Sequence, residues 1–252
     1  MAVIAIANQK GGVGKTTTTH TLGEALAGSG SRVLLVDLDP QACLTYAAGL
    51  DPEHLEPTVH DVVLGRVPVT SAILPTGQCS ILPASIDLVG AEVVLAAKVG
   101  REHALARALA PVVDDYDIVL IDCAPSLGIL TINGLTAADA VVIPLQCETL
   151  SHRGVGQLLE TVADVRAYTK PNLVVLGAVA TMFDRRSRHP REIAADVAER
   201  YGLRVFEPAV PRSIRFAEAP ATGRSILDHA PASAGADAYR QLASRVREAL
   251  VA

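Results

Sequence analysis

Hydrophobic residues occur in short, nearly unbroken runs along the chain, and longer stretches with helical spacing separate them. The runs cover residues 3–7, 32–37, 80–83, 118–122, 140–145, 173–180 and, more weakly, 204–206. Runs that are apolar at consecutive positions are typical of strands covered on both faces, as in a parallel sheet. Strands that alternate with helices indicate a layered α/β fold. We therefore predict an α/β fold, with a mainly parallel sheet flanked by helices, in one domain over residues 1–252.

Two segments differ from this alternation. Residues 51–77 are rich in proline, and polar residues interrupt their apolar positions. This predicts a surface excursion, a segment that leaves the core and runs over the surface. Near the end of the chain, Tyr239, Leu242, Val246 and Ala249 recur at helical spacing. Residues 239–250 contain no Phe, Trp or Lys, so their weak apolar face favours packing on the body of the protein over insertion into a membrane.

A glycine-rich segment joins the first predicted strand to the first predicted helix. It reads Gln9-Lys10-Gly11-Gly12-Val13-Gly14-Lys15-Thr16-Thr17. Glycines let a backbone fold round a polyphosphate, and the helix that follows directs the positive end of its dipole at the same oxygens. The segment therefore predicts a nucleotide site. In the Walker A pattern G-x-x-x-x-G-K-[ST] the first glycine would stand at Gln9, and Lys10 is an additional lysine.

Two of the predicted strands end at aspartates. One strand continues as Val36-Asp37-Leu38-Asp39-Pro40-Gln41, and another ends as Leu120-Ile121-Asp122, in the manner of a Walker B motif. Mg²⁺ keeps several waters and takes few protein ligands. We therefore expect the Thr16 hydroxyl to be its direct side-chain ligand and Asp122 to reach it through water.

These motifs resemble those of the deviant Walker A ATPases, the ParA/MinD superfamily of P-loop proteins. The stretches at residues 180–186 and 210–220 are similar to Soj-type chromosomal ParA proteins. The resemblance implies a P-loop ATPase that binds ATP and Mg²⁺. It assigns catalysis to Lys10, Lys15 and Asp39. It assigns nucleotide binding to Lys10, Gly11, Gly12, Val13, Gly14, Lys15, Thr16, Thr17, Asp37, Asp122, Met182, Pro211 and Ser213.

The resemblance also implies individual roles. Asp39 would position and activate the attacking water, and Asp37 would belong to the magnesium shell or support the loop. Lys10 would cross to the nucleotide of a second protomer when two ATP-bound protomers pack face to face. A cation supplied in this way stabilises charge on the transferring group, as an arginine finger does.

In the family, a Pro-Arg-Asn turn holds the adenine. Pro211 matches the turn, but Ser213 replaces the asparagine, and a serine hydroxyl is shorter and cannot present a two-sided amide. The family also uses arginines near this turn to bind DNA without sequence preference. Arg212 is the first candidate here, and the weaker candidates are Arg215, Arg185, Arg186 and Arg188.

Charge is unevenly distributed along the chain. The net charge of −5 argues against a nucleic-acid partner, but residues 1–180 hold ten basic and eighteen acidic residues, whereas residues 181–252 hold twelve arginines and nine acidic residues. These arginines fit either a DNA surface or solvated helix faces.

The four cysteines form no C-x-x-C pair and are expected to be buried free thiols. The sequence shows no signal peptide or membrane-spanning run, so we expect a cytoplasmic, nucleoid-associated protein.

The resulting hypothesis is an ATPase switch for partitioning chromosomes or plasmids, or for positioning another cargo. It would dimerise with ATP, bind non-specific DNA and hydrolyse ATP slowly until a ParB-like or other partner protein stimulates it. The main alternative is a membrane-cycling ATPase of the MinD type. An iron–sulfur component like the nitrogenase iron protein would need a second cysteine to accompany Cys123. A small-molecule kinase would leave Lys10 unexplained.

Overall fold

The computed structural model describes residues 1–148, 151–184 and 186–251. Its strands are β1 Ala2–Ile6, β2 Val33–Leu38, β3 Leu74–Thr76, β4 Cys79–Leu82, β5 Ile118–Cys123, β6 Ala140–Gln146, β7 Val174–Thr181 and β8 Val205–Phe206. Its α-helices are α1 Lys15–Gly28, α2 Cys43–Ala47, α3 Val59–Leu64, α4 Leu88–Ala96, α5 Ala104–Leu109, α6 Ile129–Ala137, α7 Ser151–Tyr168, α8 His189–Tyr201, α9 Arg215–Glu218, α10 Ile226–His229 and α11 Ala234–Leu250.

The strands form one eight-stranded sheet in the order β3-β4-β2-β5-β1-β6-β7-β8. Every neighbouring pair is parallel except β3 and β4. The prediction of a mainly parallel α/β fold is confirmed. Strand β3 was not predicted from the sequence, because it is three residues long and contains Pro75. A proline, which has no N–H to donate, is tolerated at the edge of a sheet, where β3 lies.

Helices cover both faces of the sheet, which explains the unbroken apolar runs. In β1, Val3 and Ala5 face a core formed with α3 to α7, whereas Ile4 and Ile6 face a second core formed with α1 and α11. Successive side chains of a strand point to opposite faces, so both sets must be apolar when both faces are buried. Because β1, β5 and β2 are parallel neighbours, their carboxyl ends meet at one edge of the sheet.

The interpretation of residues 51–77 as a surface excursion is wrong. This segment contains α3, and Val59, Val62 and Val63 of that helix are buried in the core. The helix begins at a capping box, in which Thr58 N donates to Asp61 Oδ2 at 3.2 Å. The valines have helical spacing, but the flanking prolines obscured it in the sequence.

Helix α11 packs on the body of the protein, as predicted, with Tyr239, Leu242 and Val246 buried against α1 and the sheet.

Cys79, Cys123 and Cys147 are buried free thiols, but Cys43 is exposed, which corrects the expectation for that residue. Cys43 begins α2 at the rim of the cleft described below, where the helix has no cover. Within the described ranges, every helix is too short or too polar to cross a membrane.

Candidate functional site

The glycine-rich loop lies between the end of β1 and the start of α1. Gly12 and Gly14 have φ angles of 72° and 87°, in the left-handed region that favours glycine. Lys15, the first residue of α1, is buried, and its Nζ donates to the carbonyl oxygen of Lys10 at 3.2 Å. The lysine side chain therefore spans the loop from inside. Burial lowers the pKa of Lys15, while the carboxylates of Asp122 and Asp39 oppose that shift.

Two carboxylates stand side by side at the carboxyl ends of adjacent strands. Asp37 of β2 pairs in register with Asp122 of β5, and both side chains are buried. Burial raises the pKa of both carboxyl groups. The charge of Asp37 adds to the shift of Asp122, whereas hydrogen bonds from Thr45 and Asp39 oppose the shift of Asp37. Lys15 partly offsets the shift of Asp122. A divalent cation at this place would favour the ionised form of both carboxyl groups.

Asp122 is bound to α1 by two hydroxyl groups. Thr16 Oγ1 donates to Asp122 Oδ2 at 2.7 Å, and Thr19 Oγ1 donates to Asp122 Oδ1 at 3.2 Å. Thr19 was missed in the sequence, although its position three residues after Thr16 on α1 places both hydroxyls on one side of the helix. The hydroxyl of Thr16 and the carboxylate of Asp122 are oxygen ligands of the kind that Mg²⁺ prefers.

The structure distinguishes the two aspartates that follow β2. Asp37 Oδ2 accepts hydrogen bonds from Thr45 N at 2.8 Å and Thr45 Oγ1 at 2.7 Å, and its Oδ1 accepts one from Asp39 N at 3.2 Å. All of these bonds fix the turn into α2, so Asp37 supports the loop. Asp39 Oδ1 accepts a hydrogen bond from Gln41 N at 2.9 Å, and the Asp39 side chain lines the cleft beside Lys15 and Thr16.

An open cleft of about 640 Å³ begins at the loop and runs along α1. We call the part lined by Gly11, Gly12, Gly14, Lys15, Thr16, Thr17 and Asp39, next to Asp122, the phosphate end. The opposite part, the distal end, is lined by residues that the sequence analysis did not select: His20, Thr21, Cys43, Tyr46, Ala47, Pro52, Phe216, Ala219, Pro220, Arg224, Ser225 and Ile226.

Met182 lines the cleft, with a φ angle of 49°. Of the described residues, Pro211 and Ser213 are not among those that line it. Pro211 instead forms a parallel bridge with Phe183, the residue after Met182. The Pro211 turn therefore borders the cleft, and Phe216 of α9 stands in its wall.

Lys10 and Val13 occupy different positions from the rest of the loop. Val13 is buried, and its carbonyl oxygen accepts a hydrogen bond from Thr181 Oγ1 at 2.8 Å. Lys10 points out of the cleft, and its Nζ lies 2.8 Å from Glu148 Oε2 in a solvent-accessible ion pair. The positive charge of Lys10 holds the pKa of Glu148 below its usual range, with a smaller contribution from Arg212. Lys10 and Glu148 are therefore in contact, and Arg212 is near enough to Glu148 to act on its charge.

The arginines proposed to bind DNA are exposed where the structure describes them. Arg212, Arg186 and Arg188 are open to solvent, and Arg215 forms an exposed ion pair with Glu218 at 3.2 Å. Arg185 lies outside the described residues.

Comparisons with known proteins agree with this geometry. A family model described as an AAA domain matches residues 1–175. The sporulation initiation inhibitor protein Soj of Bacillus subtilis is 43% identical over 246 residues, which cover 97% of this chain and 97% of Soj. The chromosome partitioning protein ParA of Caulobacter vibrioides is 43% identical over 250 residues, which cover 98% of this chain and 94% of that protein.

A solved structure from Mycobacterium smegmatis is also similar. It is described as cobyrinic acid a,c-diamide synthase with a bound ATP analogue and magnesium. It is 49% identical and superposes with a TM-score of 0.90, covering 100% of this chain and 96% of that one. Its ligands confirm the prediction of ATP and magnesium. By its motifs, its fold and its full-length relatives, the chain belongs to the Soj/ParA family of chromosome-partitioning ATPases.

Proposed function

We propose that this protein is an ATP-dependent switch, in which two ATP-bound protomers pair face to face and the pair holds non-specific DNA until hydrolysis releases it. The observation that carries the proposal is the placement of Lys10. Lys15 already supplies the lysine inside the cleft, whereas Lys10 points outward and pairs with Glu148. A second lysine in the phosphate loop that faces away from its own cleft is positioned to serve another protomer's nucleotide.

The hydrolytic chemistry would take place at the phosphate end. Backbone N–H groups of the loop and the ammonium of Lys15 would hold the phosphates. Thr16 directly, and Asp122 through water, would hold Mg²⁺, which neutralises charge on the phosphate oxygens. Asp39 would accept a hydrogen bond from the attacking water and orient it. Its Oδ1 is fixed by Gln41 N, so the carboxylate has a defined direction.

Lys10 would link hydrolysis to pairing. In the single protomer it is held by Glu148, and both side chains are accessible to solvent. Exposed ion pairs contribute at most about 1 kcal/mol, so leaving Glu148 costs little compared with contacting a triphosphate in another protomer. Each protomer would complete the partner's site, and hydrolysis would remove the phosphate that holds the pair together.

Binding to DNA would use the exposed arginines of the same region. Arg212 is exposed and close enough to Glu148 to lower its pKa, and Arg186, Arg188 and Arg215 are accessible as well. Cations that contact phosphates need no sequence information, and pairing doubles their number. This explains how an acidic chain binds DNA only when paired, and why it would associate with the nucleoid until a ParB-like or other protein stimulates hydrolysis.

The alternative of a membrane-cycling ATPase would need an accessible apolar face on the C-terminal helix. In α11, Tyr239, Leu242 and Val246 are buried against the protein, so exposing them would break the core. That packing favours DNA over a membrane as the surface this protein uses.

The test is retention of the purified protein on non-specific duplex DNA with ATP, ADP or no nucleotide, at low and moderate salt, with anionic vesicles in parallel. We expect ATP-dependent, salt-sensitive retention on DNA. Arg212→Glu should abolish it while ATP-dependent pairing, measured by light scattering, persists. Arg107→Glu, an exposed arginine on α5, is the control.

Three outcomes would contradict the proposal. They are retention on DNA without ATP, retention on vesicles instead of DNA, and ATP consumption that requires a corrinoid substrate, as the name of the Mycobacterium smegmatis protein implies for that protein.

A further inference from the structure

Helix α4 has an unusual composition for its position on the surface. Its sequence is Leu-Val-Gly-Ala-Glu-Val-Val-Leu-Ala, and Glu92 is its one charged residue. A helix that is apolar on all sides is normally buried on all sides. In α4 only one side is buried, through Leu88, Ala91 and Leu95, which pack into the core.

The opposite side of α4 presents bulky apolar side chains to solvent. The exposed fractions are 63% for Ile86, 48% for Val89, 74% for Val93 and 42% for Val94. Ile86 precedes the helix, and Val89 and Val93 follow it at spacings of three and four residues, so the three side chains form a stripe. Single exposed apolar residues are common, but a contiguous group on one helix marks an interaction site.

Carboxylates border this stripe. Glu56 and Asp87 line a groove that also includes Ile86 and Gly90, and Glu92 lies within α4 itself. Within residues 1–148, 151–184 and 186–251, none of these three carboxylates forms an ion pair. We call Ile86, Val89, Val93 and Val94, with Glu56, Asp87 and Glu92, the α4 surface.

The nearby cations are already engaged. Arg66, which lines the same groove as Glu56 and Asp87, has its Nη1 3.4 Å from Asp61 Oδ1 and 2.7 Å from His60 Nε2. Lys98 Nζ donates to the carbonyl oxygen of Leu64 at 3.0 Å. Arg101 Nη1 donates to the carbonyl oxygen of Ala96 at 2.7 Å, and Arg101 pairs with Glu102. The α4 surface is therefore apolar at its centre and acidic at its border, which favours a partner of opposite charge.

We infer that the α4 surface binds a cationic amphipathic helix of a partner protein. Such a helix lays apolar residues at i, i+3, i+4 and i+7 spacing along a groove. Its lysines or arginines would then meet Glu56, Asp87 and Glu92. A second copy of this chain fits less well, because a two-fold contact would bring the same carboxylates against each other.

The α4 surface also lies near the loop that follows β5. Glu92 Oε1 lies 3.4 Å from the position that a Cβ atom on Gly128 would occupy. Gly128 belongs to the loop between β5 and α6, which follows Asp122. A helix bound to α4 would thus lie near this loop. Binding of a helix to α4 can be measured without ATP hydrolysis or DNA, so its test does not depend on the proposed function.

The experiment uses the full chain and two designed helical peptides. Both peptides carry leucines along one face; one has arginines on its flanks and the other has glutamates at the same positions. Binding is followed by fluorescence anisotropy. We expect the basic peptide to bind and the acidic one not to bind. The double substitution Val89→Ser with Val93→Ser should weaken binding at least about tenfold, which corresponds to 1.4 kcal/mol.

A control variant and a charge variant sharpen the result. Val174→Ser removes another exposed valine, at the start of β7 and 51% accessible, and should leave binding unchanged. Glu56→Gln with Asp87→Asn should weaken binding severalfold and reduce its dependence on salt. Nucleotide binding and the thermal unfolding midpoint establish that each variant is folded.

Other outcomes would overturn the inference. The basic peptide failing to bind, or binding equally to the double serine variant, would remove the α4 surface as its site. Loss of concentration-dependent self-association in the double serine variant would instead identify an interface between copies of this chain. Loss of binding to anionic vesicles in that variant would identify a lipid surface.

Discussion

The two ends of the nucleotide cleft are built in different ways. At the phosphate end, hydrogen bonds fix the side chains: Thr16 and Thr19 donate to Asp122, and Lys15 donates to the loop backbone. At the distal end, packing fixes them: the ring of Phe216 meets the ring of Tyr239 edge to face, with 5.9 Å between centroids.

The difference fits the proposal that one end holds the phosphates and the metal and the other end holds the base. Phosphate and metal require charges and donors at defined points, which a few residues at strand ends can supply. A flat base requires shape, which segments distant in sequence must build together. Tyr239 joins the two ends, because its hydroxyl lies 2.9 Å from Thr18 Oγ1 on α1 while its ring supports Phe216.

The largest expected effect is on hydrolysis, at the phosphate end. Asp39→Ala should lower kcat about a thousandfold, because groups that position and deprotonate a nucleophile contribute about 10² to 10⁴ in rate. ATP affinity should change little, because the proposed role of Asp39 is to orient water and not to hold the phosphates. Phosphate release and ATP binding, measured separately, check this.

Asp39→Asn separates two roles of the carboxylate. The amide oxygen of asparagine can still accept the hydrogen bond from Gln41 N, so the loop should keep its shape. If Asp39→Asn hydrolyses ATP at the normal rate, Asp39 only shapes the loop. If both variants are slow, its carboxylate acts on the water.

The next effect is on affinity. Lys15→Ala removes a buried cation from beside Asp122 and should weaken ATP binding about a hundredfold or more, since truncating one partner of a buried charge pair costs about 2–5 kcal/mol. Isothermal titration with Mg²⁺ and ATP measures it, with Lys98→Ala as the exposed control. Unchanged affinity in Lys15→Ala would place the phosphates elsewhere.

The same contrast explains what the sequence could predict. The strands β1, β2 and β5 and the residues at their ends were predicted because apolar runs and motifs are local patterns. Phe216 and His20 were missed because no pattern marks a residue that becomes part of a wall only after α9 folds over α1. The turn at Pro211 was assigned by resemblance, and it lies at the border of the cleft.

A pH effect tests the part of the distal end that α1 forms. His20 lines the cleft from α1, and burial lowers its pKa to about 4 from 6.5. The unfolded chain therefore binds a proton that the folded chain does not between these values. The contribution of His20 to stability is fully present above pH 6.5, falls as pH decreases, and is about 2 kcal/mol smaller at pH 5.

Urea unfolding at pH 7.5 and pH 5 measures that change. In His20→Asn the loss of unfolding free energy between the two pH values should be smaller than in the unmodified protein by about 2 kcal/mol. Comparing each protein with itself removes the constant effect of the substitution. Equal losses in both proteins would show that His20 is protonated in the folded state.

The smallest effect concerns the distal end. Phe216→Ala should weaken ATP binding about tenfold, because stacking on an aromatic ring contributes about 1–3 kcal/mol per base. The affinity for tripolyphosphate, measured by competition, should stay the same because that ligand has no base. Lys15→Ala should weaken both ligands. This pair of measurements assigns each end of the cleft to one part of the nucleotide.

Phe183→Ala is the matched control, since Phe183 is also partly buried but pairs with Pro211 instead of lining the cleft. If Phe183→Ala weakens ATP binding and Phe216→Ala does not, the base lies at the Pro211 turn. Packing at the distal end would then serve only to hold α1 through Tyr239 and Thr18. If Phe216→Ala alone weakens ATP binding, the base is held by a wall that closes only when α9 and α11 pack against the phosphate-binding helix.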